Sequence, residues 1–153
     1  MKTAYLVLLC VFLFGCGTYM AQPPEKTRYE HIKETTLPPD QVYDKALQWI
    51  ASTFRSAKAV IEYQDKASGR IIGNGQVDFN RVSRMGVVLP LTFTMTFDVK
   101  PGKYKMSFEN VLVKYSDGDQ PLGDPADTTS AHNEFKRLCD SFDQYLMKKE
   151  AEW

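Results

Sequence analysis

The chain has no surplus of charge of either sign. Its 153 residues carry 19 Lys+Arg against 19 Asp+Glu. Without Lys2 the balance is 18 against 19, a net charge of −1. Phosphate backbones are bound through a basic surplus or a basic stripe, so nucleic acid is not expected as a partner. No basic block of the kind that holds a protein to acidic lipid is present either. Cysteines number three and histidines two. No G-x-S-x-G, H-E-x-x-H or C-x-x-C spacing occurs, so neither a nucleophile elbow nor a metal-ligating pair is announced. No internal repeat and no low-complexity tract is found. The composition implies no cofactor and no metal.

The one long apolar run is short and terminal. Lys2 precedes residues 4–14, AYLVLLCVFLF. Eleven residues cannot span a bilayer, but they suit the central region of an export signal. Leu13-Phe14-Gly15-Cys16 resembles a bacterial lipobox, with Phe14 where a small residue is usual. That resemblance implies a signal over 1–15, acylation of Cys16 and a tether over 16–28 containing Pro23-Pro24. The alternative is cleavage after Ala21, where Tyr19 is bulkier than signal peptidase sites prefer. With Cys16 lipidated, Cys139 has no disulfide partner. It falls on the apolar stripe of a helix and reads as a buried thiol.

Periodicity organises residues 29–150 as one α+β domain. Residues 29–36 read as a first strand. Leu37-Pro38-Pro39-Asp40 then opens a helix over 40–56, with Val42, Tyr43, Ala46, Trp49, Ile50 and Phe54 on one face. Residues 57–64 and 70–79 read as strands joined by a hairpin ending at Gly69. Residues 87–99 alternate most cleanly: every odd position is apolar, and even positions include Thr92, Thr94, Thr96 and Asp98. If Pro101-Gly102 is a two-residue turn, Val99 faces Tyr104, Phe97 faces Met106 and Met95 faces Phe108. On the other face Asp98 meets Lys105 and Thr94 meets Glu109, so both faces are satisfied. Pro-Gly favours a type II turn, which leaves room for a bulge near the tip. Residues 116–127 read as a polar loop. A second helix follows over 128–149, with Phe135, Leu138, Cys139, Phe142, Tyr145 and Leu146 in a stripe. The order is βαββββα. It predicts an antiparallel sheet of about five strands with two helices on one face.

Residues 46–50 (ALQWI), 54–58 (FRSAK), 61–65 (IEYQD) and 69–75 (GRIIGNG) resemble an uncharacterised bacterial family common in exported proteins. The family has a TATA-binding-protein-like fold. The resemblance implies that fold over roughly 29–147 and no assigned activity. Fold alone imports no DNA binding.

Candidate sites are few. Gly73-Asn74-Gly75 lacks the third glycine and the helix of a dinucleotide fingerprint, and reads as close packing of a helix on the sheet. Asp117-Gly118-Asp119 with Asp124 lacks the glycine and distal Glu of a calcium loop and reads as solvated. Asp127 and Ser130 flank a helix start and read as caps. The hairpin register, carried on, puts Val88, Val111, Val113 and Tyr115 on the outer face as a candidate contact patch. A bulge near Glu109-Asn110 would instead turn the last three inward. The expected function is a non-enzymatic binding or structural module, an envelope lipoprotein facing the periplasm. Its partners would be the membrane, an envelope protein or ligand, or a second copy. The alternatives are an envelope hydrolase using His31 or His132 with carboxylates, and a soluble periplasmic or secreted form.

Overall fold

A computed structural model describes residues 20–54, 60–81 and 86–148. The export signal, Cys16 and the lipobox lie outside the described residues. The elements are α1 (Pro24–Thr27), β1 (Tyr29–Glu34), α2 (Pro39–Thr53), β2 (Val60–Asp65), β3 (Arg70–Arg81), β4 (Val87–Lys100), β5 (Lys103–Tyr115), β6 (Gly118–Pro121) and α3 (Pro125–Met147). All pairings are antiparallel, in the order β1-β5-β4-β3-β2. β1 pairs with Lys103–Phe108 of β5, and β6 pairs with Leu112–Tyr115. The α+β architecture with helices on one sheet face is as the periodicity indicates.

The β4–β5 hairpin keeps the expected register. Val99↔Tyr104, Phe97↔Met106, Met95↔Phe108, Asp98↔Lys105 and Thr94↔Glu109 are all paired. Gly102 has φ 83°, the left-handed value that the second position of a type II turn requires. The register runs unbroken from the tip. The irregularity comes further along, between Thr92 and Thr94, opposite Asn110 at φ 52°. One extra residue is taken up there, so Leu91 faces Val113 and Thr92 faces Leu112. Asparagine tolerates this conformation better than a branched residue would.

That bulge corrects the candidate contact patch. A shift of one residue moves a strand's side chains to the other face. Val111 and Val113 are 3% and 2% exposed in the core, and Tyr115 packs partly buried against it. Val88 stands apart, exposed and opposite Asn80.

Three boundaries also differ. Residues 116–127 are not a continuous loop: Gly118–Pro121 forms β6, which has no apolar alternation to mark it. Its pairing comes from β5, whose edge is open beyond β1. The end of the expected tether already docks. Gln22 N donates to Leu122 O at 2.6 Å, and α1 buries Thr27. Pro23-Pro24 supplies the start of that helical turn instead of an extended spacer. α3 begins at Pro125, with Asp124 accepting from Ala126 N at 2.8 Å.

The core is an aromatic column between sheet and helices. Phe108 and Phe135 stack at 4.6 Å, and Phe93 meets Phe135 edge-on at 5.2 Å. Trp49, Phe97 and Tyr104 surround Phe142 at 5.2–5.4 Å. Gly75 belongs to this packing, though its close neighbour is not a helix. A Cβ there would lie 2.4 Å from the Phe93 ring. Gly73 and Gly75 line a recess of about 10 Å³, room for no more than one water. Gly75→Ala should therefore destabilise the domain by about 1–2 kcal/mol through overpacking, measured as a lower denaturation midpoint in guanidinium chloride.

Candidate functional site

A cleft of about 550 Å³ lies at the hairpin-tip end of the sheet. Three local features build it. β1 ends at Glu34, and Thr35 N donates to Gly102 O at 3.0 Å, tying the strand's exit to the hairpin tip. Leu37 N then donates to Thr35 Oγ1 at 3.2 Å, and Pro38 holds Leu37 out of helical geometry, so the chain arches before α2 begins. The last turns of α3 lie alongside. Lys33, Glu34, Thr35, Thr36, Leu37, Gly102, Tyr104, Asp143, Leu146 and Met147 line the space.

Asp143 is the polar centre. It is 9% exposed and projects from α3 toward β1 and β5. Its Oδ2 accepts from Lys33 Nζ at 2.5 Å, and its Oδ1 accepts from the Tyr104 hydroxyl. His31 Nε2 lies 3.4 Å from Oδ1, sheltered from solvent and without a hydrogen bond. Burial pushes the Asp143 carboxyl up. The bonds from Lys33 and Tyr104, with the neighbouring positive charge, outweigh burial and hold it below the usual carboxylate range. Burial and the same carboxylate raise Tyr104, which stays a hydroxyl. Burial, then the charges of Asp143 and Asp140, push the Cys139 thiol up to about 12. Cys139 is fully buried and suited to packing rather than attack.

The two histidines part company. His132 Nε2 is 3.3 Å from Thr27 O and its ring is 5.4 Å from Tyr29, so it joins α3 to α1 and β1. His31 does meet a carboxylate beside a cleft. Asp143 and Tyr104 lie beside it, and these two are hydrogen-bonded to each other.

The other sequence candidates resolve structurally. Asp117 and Gly118 sit at the β5–β6 turn, and Asp119 opposes Lys114. No group of three or more metal-ligating side chains occurs among the described residues. Asp127 is no surface cap. It is fully buried and accepts from Arg81 at 2.7 and 2.8 Å, fixing the end of β3 to the first turn of α3. No helix among the described residues is long and apolar enough to cross a membrane.

Sequence reasoning missed Lys33, Tyr104 and Asp143. Asp143 lies next to Phe142 on the apolar stripe of α3, and a carboxylate bordering such a stripe is a legible sign of a buried polar contact. Nothing local identified its partners, which come from strands 39 and 110 residues away.

Comparisons with known proteins agree with the fold. A family model described as a domain of unknown function (DUF4468) with TBP-like fold matches residues 29–114. A TBP-like protein from Parabacteroides distasonis superposes with a TM-score of 0.65 at 10% identity, covering 80% of this chain and 94% of that one. A DUF4468 family protein from Bacteroides ovatus gives 0.56 at 15% identity, covering 87% and 94%. A search of curated proteins finds no match.

Proposed function

This chain belongs to the DUF4468 family, domains of unknown function with a TBP-like fold, and on that footing we propose that it is a non-enzymatic binding module of the cell envelope. In this reading it is held at a membrane through Cys16 and takes a small amphipathic molecule into the cleft between β1 and α3. The observation that carries the reading is the cleft. Its volume of about 550 Å³ falls in the range of small-molecule sites. Leu37, Leu146, Met147 and the Tyr104 ring supply apolar contact. Lys33, Glu34 and Thr36 supply polar groups at the mouth. Most other polar atoms there are already committed to one another, so affinity would come chiefly from apolar burial, at about 25 cal/mol per Å².

The membrane tether is supported by the apolar run at residues 4–14 and by Leu13-Phe14-Gly15-Cys16. Stable anchoring needs more than one acyl chain, which lipoprotein processing supplies.

Titration of the folded domain with decanoate and with decylamine, followed by NMR, tests the cleft. Shifts should concentrate at Tyr104, Leu146 and Met147. Thr36→Arg, a substitution at an exposed position, should weaken binding at least about tenfold, or 1.4 kcal/mol, by filling the mouth. Shifts confined to the outer sheet face, or binding unchanged in Thr36→Arg, would contradict the assignment.

A further inference from the structure

The sheet face away from the helices carries a recess of its own, of about 270 Å³, at the hairpin-tip end. It is lined by Ile32, Tyr104, four cations and one acid. The cations are Arg70 of β3, Lys100 of β4, and Lys103 and Lys105 of β5; the acid is Asp98 of β4. They come from three strands, so no basic block along the sequence announces them. Strand pairing assembles them. Arg70, Asp98 and Lys105 form one row across the sheet, and Lys100 and Lys103 form the next.

The acids nearby are mostly engaged. Asp98 accepts from Arg70 Nε at 2.6 Å and lies 3.8 Å from Lys105. Glu30 accepts from Arg28 at 2.5 Å and lies 3.7 Å from Lys105. Asp65, opposite Arg70 on β2, accepts from Ala67 N at 3.0 Å and from the Tyr63 hydroxyl at 3.4 Å. Glu34 is opposite Lys103 in register, but it lines the cleft beside α3 and forms no ion pair among the described residues. Lys100 and Lys103 are exposed, and among the described residues neither has an acid partner.

That pair breaks the charge matching of the rows beside it. Like charges directly opposite in an antiparallel pair are destabilising. Here two ammonium groups face each other across a two-residue turn, and their repulsion costs stability unless something outside the chain neutralises it. Departures from local consistency are expected at functional sites. A recess lined mainly by one sign of charge also focuses potential and draws counter-ions in.

We propose that this recess binds the phosphate group of a phosphate monoester. Such a group carries about −1.5 to −2 charges at pH 7 and three strongly accepting oxygens. Two unpaired ammonium groups match that charge, which a single carboxylate would only half satisfy. Each ammonium offers three N–H donors. The Arg70 guanidinium, half exposed, commits Nε to Asp98 and keeps its terminal N–H groups for a phosphate oxygen. Ile32, 62% exposed, gives the first carbons of the ester an apolar wall. The recess and the cleft beside α3 are separate sites, so this assignment stands apart from the cleft reading.

Calorimetric titration of the full-length protein in neutral detergent micelles tests the site. Glycerol 3-phosphate is the soluble probe, glycerol its uncharged control, and phosphatidic acid doped into the micelles the lipid probe. At least one phosphate probe should bind, and glycerol should not. Lys100→Gln combined with Lys103→Gln should weaken binding at least about tenfold. Lys114→Gln, at an exposed lysine opposite Asp119 on β6, should leave it unchanged. Binding of glycerol 3-phosphate alone assigns the site to free phosphate esters, and binding of phosphatidic acid alone assigns it to lipid headgroups; either supports the site. Without any phosphate, Lys100→Gln should raise the urea midpoint, because Lys103 then faces no like charge. The probe that binds should raise the midpoint of the parent more than that of the variant. Binding of neither probe, an equal loss in Lys114→Gln and in the lysine double variant, or a lower midpoint in Lys100→Gln overturns the proposal.

Discussion

Asp127→Ala is expected to cost the domain about 3–5 kcal/mol, the loss typical when one partner of a buried ion pair is removed. Arg81 is 7% exposed and Asp127 fully buried, with N···O distances of 2.7 and 2.8 Å. Alanine at 127 would leave a guanidinium in a site shaped for a carboxylate. The Tyr115 ring, 5.5 Å from the guanidinium, stabilises the cation too weakly to replace a full charge. The first turn of α3 would also lose a favourable acid near its N-terminus. Domains of this kind are stable by about 5–15 kcal/mol, so the variant would sit close to its unfolding threshold. Denaturation in guanidinium chloride should show the midpoint falling with little change in slope. Replacing both partners by apolar residues, Arg81→Met with Asp127→Leu, should recover most of the loss. A single variant as stable as the parent would mean that the pair contributes nothing to docking α3.

Asp143→Ala should cost about 3 kcal/mol at neutral pH. The Tyr104 hydroxyl is buried and would lose its acceptor, and an orphaned buried donor costs about 1–3 kcal/mol. Loss of the Lys33 contact and of packing beside Phe142 adds to this. The pH dependence has a definite sign. The folded carboxyl titrates below its unfolded value of about 3.9. Its contribution is therefore present above that pH and is lost as pH falls through the lower folded value. The parent and Asp143→Ala should differ most at neutral pH and converge in strong acid. A constant difference down to pH 2 would show that the charge of Asp143 contributes nothing to stability.

Much of the architecture was legible because two faces of β4 obey one rule. Apolar odd positions and polar even positions specify which way the strand faces, and the Pro101-Gly102 turn then sets the register with β5. Periodicity alone could not choose between an unbroken register and a bulge near Glu109-Asn110. The bulge is present at Asn110, and Val111 and Val113 are inward in the fold. β6 was invisible for a different reason. Gly118–Pro121 has almost no intrinsic strand signal and pairs because β5 offers a free edge. The candidate site was less legible than the fold. His31 was singled out for its chemistry, but Asp143, Tyr104 and Lys33 converge only through the crossing of α3 over β1 and β5. No spacing along the chain encodes that meeting. Membership of the family and its TBP-like fold followed from the run between Ala46 and Gly75, where residue identity carried more than periodicity did.

The proposed function has two parts: the cleft holds a small molecule and the domain stays tethered. Native mass spectrometry of the full-length protein, extracted from membranes of the cells that make it, reads both parts at once. The expected species is a chain beginning at Cys16, heavier by its acyl groups, with a further non-covalent mass that Thr36→Arg lacks. An unmodified chain beginning at Gln22, with no additional mass in either protein, would contradict the claim.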